Sequence, residues 1–89
     1  MNITICLWGQ LKQTAGTDTV LLHFDEPVSI ETILKKAAAD HPTLFPLIVD
    51  DAGAIRQSNL AFIEGELQPF SAMLDSSAEL ILMSPVAGG

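Results

Sequence analysis

The chain has 89 residues, of which 48% are hydrophobic and 17% are charged, so a single globular domain is expected. Its 11 acidic residues outnumber the 4 basic ones and give a formal net charge of −7, which argues against binding nucleic-acid phosphates. No apolar run reaches the roughly 18 residues of a membrane-spanning helix, and the opening residues lack the pattern of a secretion signal.

Residues 2–8 alternate with a period of two, which predicts a strand. Because its second face, with Cys6 and Trp8, is also fairly apolar, we expect this strand to be central. Residues 10–16 are expected to be a connection, and residues 19–24 a second strand that pairs antiparallel with the first.

The clearest helix begins after Ser29, a residue type that caps helix N-termini well. Apolar residues repeat at helical spacing over residues 30–38, and Glu31 suits the first turn of a helix dipole. The residue before a proline avoids helical angles, so the His41-Pro42 step ends the helix.

The second half of the chain predicts shorter elements. Residues 44–49 are apolar but contain a proline, which indicates an irregular or short helical segment. A strand at 60–63 is followed by a turn at 64–65, a brief return at 66–70 and a last strand at 78–83. One helix on one face of a mixed sheet is an α+β layout.

The sequence offers no recognisable catalytic set. His23 and His41 stand in no motif, and nucleophile elbows, phosphate-binding glycine loops and metal-ligand spacings are absent from the pattern. Asp50 and Asp51 form a surface turn without the further oxygen ligands of a calcium loop, so no metal site is expected. Nothing near Cys6 would lower its pKa, which favours a structural role and a reduced, cytoplasmic setting.

The last six residues are the remaining candidate for chemistry. Pro85 cannot donate to a sheet ladder, so the last strand should end near Ser84. Fully extended, the residues from Ser84 to Gly89 reach at most ~20 Å, enough to bring a terminal carboxylate into another protein's active site. Glycines at the tip would pass a channel too narrow for a Cβ atom. The alternative is a frayed terminus without function.

The last strand and the strand at 60–63 carry apolar residues on both faces. Since only one face can pack on the helix, we predict an exposed apolar patch beside the tail that serves for docking, unless residues 44–49 cover it. The residues assigned to partner binding are Phe62, Ile81 and Met83 of these strands, with Pro85, Val86 and Ala87 of the tail.

The ending "SPVAGG", the strand "LILM" before it and the opening "LWGQLKQTAGTDTV" resemble the ThiS/MoaD sulfur-carrier family. The helix "SIETILKKAAADHP" and the strand order match as well, so the resemblance covers essentially the whole chain. It implies a ubiquitin-like β-grasp domain at residues 1–83, with four to five strands on one main helix, and an extended, flexible tail at residues 84–89. Departures from the family pattern, such as Ser84 in place of a second proline, leave the last two glycines untouched.

The resemblance also implies a mechanism. A ubiquitin-activating-type adenylyltransferase would use ATP and Mg to adenylate the carboxylate of Gly89, and a sulfur donor would convert it to a thiocarboxylate. Gly88 would give clearance at the reacting atoms. The small subunit of molybdopterin synthase is the family member that the chain resembles most, and it works with a larger catalytic subunit in a heterotetramer. This chain would then bind no cofactor and be a non-catalytic, sulfur-donating subunit.

Other functions remain open at this point. Family members with the same ending serve thiamin synthesis, tRNA thiolation or covalent attachment to lysines as ubiquitin-like modifiers. A β-grasp interaction module with an inert tail is a further alternative.

Overall fold

The computed structural model describes residues 1–84 and has an α+β fold, as predicted. Its elements in chain order are β1 (Asn2–Trp8), α1 (Gln10–Ala15), β2 (Thr19–His23), β3 (Val28–Ser29), α2 (Ile30–Asp40), a 3-10 turn (Pro42–Leu44), α3 (Phe45–Ile48), β4 (Leu60–Ile63), β5 (Glu66–Gln68), β6 (Met73–Leu74) and β7 (Ala78–Met83). Within these residues, no helix is long and apolar enough to cross a membrane.

The main sheet has five strands in the order β2-β1-β7-β4-β5. The central pair, β1 and β7, is parallel, and the other pairs are antiparallel. The inward side chains of β1 are almost completely buried, with Ile3 and Ile5 at 0% exposure and Leu7 at 3%. The expectation of a central first strand is therefore confirmed, and the end of β7 lies beside the end of β1.

Helix α2 crosses the inner face of this sheet as its main covering element. The Ser29 hydroxyl accepts a hydrogen bond from the Thr32 N–H at 3.1 Å, which caps the N-terminus as the sequence predicts. The helix ends before His41. The side chains that it buries form the predicted apolar stripe, namely Ile30, Ile33, Leu34, Ala37 and Ala38.

Two features differ from the sequence prediction. Residues 10–16 are not a simple connection, because α1 forms there and buries Leu11 completely. Gly16 ends this helix with a left-handed φ of 72°, and its N–H donates to the Lys12 carbonyl at 3.0 Å. The second difference is a small separate sheet, in which β3 pairs with β6 through Val28 and Leu74.

The segment after α2 belongs to the core on the helical side. Leu44 and Ile48 have no exposed surface. The Asn59 amide donates to the Ile48 carbonyl at 3.4 Å, and Arg56 Nε donates to the Pro46 carbonyl at 2.7 Å. These hydrogen bonds join the segment to the loop that follows it, and the segment itself packs against α1 and α2, so it does not cover the far face of the sheet. The alternative that it does so is wrong.

Candidate functional site

Strand β7 has two faces with different burial. Leu80 and Leu82 are completely buried in the core. Ile81 and Met83 lie on the opposite face and are half-buried, because no layer of the described structure packs over them. The prediction that one apolar set of this strand stays outside the core is confirmed, and the outward set is Ile81 and Met83.

The strand register assembles a continuous apolar surface around these two residues. Ile81 pairs with Cys6 on one side and with Phe62 on the other. Met83 pairs with Trp8 and Leu60 in the same way. We call this surface the outer apolar face, and its members are Cys6, Trp8, Leu60, Phe62, Leu67, Ile81 and Met83.

Two large side chains of the outer apolar face are more than half exposed to solvent: Trp8 is 53% exposed and Leu67 is 59% exposed. Soluble domains bury or spread such groups, so two of them at opposite margins of one apolar surface, on β1 and β5, are typical of an interaction site.

The predicted binding residues of the sheet, Phe62, Ile81 and Met83, lie together on this face. Trp8 was not among the predicted site residues, although the alternation of residues 2–8 places it on the outward side. Its role follows from the parallel pairing with Met83, which a single sequence does not reveal. The predicted tail residues, Pro85, Val86, Ala87, Gly88 and Gly89, lie outside the described residues and follow directly after Ser84.

The charges around the outer apolar face are mixed, because Glu79 borders it on β7 and Lys12 of α1 lies beside Trp8. None of the strands within residues 1–84 contains a lysine or an arginine, whereas Glu79 lies on this face of β7 in register with Thr4. Lysines lie on the helices, where Lys12 pairs with Asp18 at 3.3 Å and Lys36 with Asp40 at 3.5 Å. A partner surface with an apolar centre and a basic group opposite Glu79 would complement this side of the molecule.

Cys6 is on the outer apolar face but is not an activated thiol. Its Sγ lies 3.7 Å from Oε1 of Glu79. Burial in the first place, and then the charge and hydrogen bond of Glu79, raise the pKa of the Cys6 thiol above its ordinary value. The thiol is therefore protonated near neutral pH, which does not suit a nucleophile.

Other polar features of the described residues have structural roles. The Asp50 carboxylate accepts hydrogen bonds from the N–H groups of Ala52 at 2.8 Å and Ala54 at 3.0 Å, so it stabilises its own turn.

A concavity of about 600 Å³ lies between the turn at 64–65 and the loop at 75–77, at the opposite end of β7 from Ser84. Across residues 1–84, no group of three or more His, Cys, Asp or Glu side chains is placed to hold a metal ion.

Together these features define a class of protein. A mixed sheet with parallel first and last strands at its centre, one main helix on its inner face and an apolar outer face is the architecture of a ubiquitin-like β-grasp domain. The predicted β-grasp fold, with five strands in the main sheet, is confirmed.

Solved structures with the same fold include three informative neighbours. Small archaeal modifier protein 1 from Haloferax volcanii is 25% identical, with 100% of each chain covered and a TM-score of 0.89. Its namesake from Methanosarcina acetivorans is 20% identical over 99% of this chain and 96% of that one, with a TM-score of 0.81. A Pyrococcus furiosus protein, named provisionally as molybdopterin converting factor subunit 1, is 14% identical over 97% of this chain and 99% of that chain, with a TM-score of 0.75.

These neighbours confirm the resemblance to ubiquitin-fold carriers of the ThiS/MoaD type that the sequence indicates. Neither a family model nor a curated protein matches the sequence. The likeness is therefore carried by the fold over the whole chain, and the neighbours that share this fold are small archaeal modifier proteins and a molybdopterin converting factor subunit.

Proposed function

We propose that the chain is a cytoplasmic sulfur carrier whose Gly89 carboxylate is activated by a ubiquitin-activating-type adenylyltransferase. The observation that supports this most is the position of Ser84, which follows Met83 at the edge of the outer apolar face. The residues after Ser84 reach at most ~17 Å when extended. A partner that docks on the outer apolar face would therefore have its active site within reach of Gly89.

The chemistry proposed for Gly89 needs no catalytic side chain from this protein. A carboxylate oxygen attacks the α-phosphorus of ATP, bound with Mg by the partner, and pyrophosphate leaves. Hydrosulfide then attacks the carbonyl carbon of the acyl adenylate, and AMP leaves with the electrons of the broken C–O bond. The product is a thiocarboxylate at Gly89. Gly88 gives the clearance that this attack needs, because it has no Cβ.

The role that we propose for the charged carrier is that of the small subunit of molybdopterin synthase. In this role a larger subunit binds the outer apolar face, receives residues 85–89 in its active site and transfers the sulfur to a pterin precursor, with two copies of each subunit in the complex. The similarity in fold to the Pyrococcus furiosus molybdopterin converting factor subunit 1 supports this assignment.

A second candidate function is covalent attachment to lysines of other proteins. It is favoured by the higher structural similarity to small archaeal modifier protein 1, with a TM-score of 0.89 against 0.75 for the molybdopterin factor. Both functions share the adenylation of Gly89 and diverge at the acceptor, which is sulfur in one and a lysine amine in the other.

The shared step is tested by ATP–pyrophosphate exchange with an activating enzyme of the proposed type. The full chain should support exchange, and a chain that lacks Gly89 should support less than about a hundredth of it, because the carboxylate no longer reaches the α-phosphate. Both chains should unfold at the same temperature, since the buried core of the described structure lies within residues 1–84. Equal exchange by the two chains would contradict the proposal.

A further inference from the structure

The two edges of the main sheet differ in how they are protected. Strand β5 is a poor template for another strand, because it has three residues, includes Glu66 and is followed by Pro69. Strand β2, at the other edge, has five residues, Thr19–His23, and contains no proline, lysine or acidic residue. Natural sheets blunt their edges unless the edge is used, so β2 is the exception that needs an explanation.

The hydrogen bonds between β1 and β2 show which backbone groups face outward. The N–H of Leu7 donates to the Asp18 carbonyl at 2.8 Å, and the N–H of Phe24 donates to the Met1 carbonyl at 3.0 Å. In an antiparallel ladder, hydrogen-bonded pairs alternate with pairs that are not hydrogen-bonded. Between these two bonds, every second residue of β2 therefore directs its N–H and C=O groups toward β1. The backbone groups of the intervening residues, Thr19, Leu21 and His23, therefore point away from β1 along the free edge.

This edge is about 17 Å long, and at its start the Thr19 carbonyl accepts a hydrogen bond from the Thr17 hydroxyl at 3.3 Å. In the part of the chain that the structure describes, no strand pairs with the outer side of β2. Leu21, at its centre, is 75% exposed, the highest value among the exposed large hydrophobic side chains of the described residues. An added strand would pair its backbone with Leu21 and place an apolar side chain beside it.

The charges at the two ends of β2 indicate which kind of segment can bind at this edge. Asp18 precedes the strand, and Asp25 and Glu26 follow it, all with exposed side chains. Asp18 is paired with Lys12 at 3.3 Å, so the acids left for a partner are Asp25 and Glu26. Pairing of two copies through β2 is disfavoured because each chain has a net charge of −7. A segment with basic residues at its ends meets the same acids favourably.

We propose that the free edge of β2 is a second docking site, beside the outer apolar face and on the same side of the sheet, for an extended segment of a partner protein. The segment adds as a strand beside Thr19–His23, alternates apolar and polar residues, and carries Lys or Arg next to Asp25 and Glu26. This proposal does not rest on the sulfur-carrier function, and a chain that lacks Gly89 is expected to bind the segment equally well.

The test uses a synthetic peptide that alternates Val and Thr and carries Lys at both ends, with a matched peptide that carries Glu there. Amide hydrogen exchange and chemical shifts of the full chain are measured by NMR. The Lys peptide should slow exchange at Thr19, Leu21 and His23 by about tenfold when the site is nearly saturated, and the Glu peptide should bind at least about tenfold more weakly. Equal binding of the peptides, shifts confined to the outer apolar face, or pairing of two copies through β2 would overturn the proposal.

Variants at Leu21 test the strand geometry. Leu21→Pro removes an outward N–H without removing a hydrogen bond to β1, so it should abolish the exchange protection. Leu21→Lys keeps the outward N–H of residue 21 and should weaken binding of the Lys peptide about tenfold, because the two lysines repel each other. This variant also provides a test if the proline variant does not fold. Thr43→Lys, on the exposed helical side, adds the same charge and should bind as the native chain does. Native-like binding by Leu21→Lys would refute the assignment to β2.

Discussion

Replacing Ile81 by lysine separates the proposed docking role of the outer apolar face from the stability of the fold. Ile81 lies near the centre of this face, between Cys6 and Phe62, and is half-buried. Its lysine replacement can extend its charged end into water, so the loss of unfolding free energy should be about 1 kcal/mol. Leu80→Ala, one position earlier on the buried face, should cost about 2–5 kcal/mol because it leaves a cavity in the core.

The effect of the same change on partner binding should be larger than its effect on folding. A charge at the centre of a desolvated interface costs about 2–4 kcal/mol of binding free energy, a loss of roughly thirtyfold to a thousandfold in affinity. The measurements are urea unfolding of each variant and calorimetric titration of the folded chain into the activating enzyme.

The control is Thr43→Lys, which adds the same charge on the helical side and should leave both quantities near their native values. Native-like affinity of Ile81→Lys would show that the outer apolar face is not the docking surface. Destabilisation as large as that of Leu80→Ala would show that the two faces of β7 have been assigned wrongly.

Three further predictions concern local interactions. Ser29→Ala should lower the unfolding free energy by about 1 kcal/mol in urea, because an amide of the first helical turn loses its acceptor, and an unchanged midpoint would contradict this. Glu79→Gln should lower the pKa of Cys6 and speed its alkylation at pH 8 by less than about tenfold, since burial is the larger cause, and slower alkylation would contradict this. Hydrogen bonds from the Ala54 N–H and neighbouring amides lower the pKa of the Asp50 carboxyl below 3.8, so the stability that it contributes is present above that pH and is lost as the pH falls through the folded-state pKa. An NMR titration of the Asp50 carboxyl should therefore have its midpoint below 3.8, and a midpoint at or above 3.8 would contradict the turn geometry.

The main strands and helix were predictable because their patterns are local. Residues 2–8, 60–63 and 78–83 form strands with the predicted bounds, and Ser29 caps the helix as predicted. Two-residue alternation and helix capping depend on neighbours in the sequence, which a single chain displays.

The missed elements depend on contacts that the sequence does not display. Helix α1 has six residues, too few for a helical repeat to appear, and it is held by burial of Leu11. The pairing of β3 with β6 joins Val28 to Leu74 across most of the chain. Strands of two residues carry no alternation, so only the folded arrangement identifies them.

The candidate site was predictable in part for the same reason. Alternation shows that Ile81 and Met83 share one face of a strand, but it does not show which face is covered by the helix. The inclusion of Trp8 requires the parallel register between β1 and β7, which is a property of the assembled sheet. The acidic margin from Glu79 also becomes visible only when that register is known.

The most direct test of the proposed function is the intact mass of the chain after incubation with the activating enzyme, ATP, Mg and a sulfide source. We expect a mass gain equal to the replacement of one oxygen atom by one sulfur atom, and fragmentation should locate this added mass at Gly89. A chain that forms an adenylate but gains no sulfur, and instead becomes attached to lysines of other proteins, would support the modifier function. An unchanged mass in the presence of an enzyme that activates a known carrier would contradict both functions.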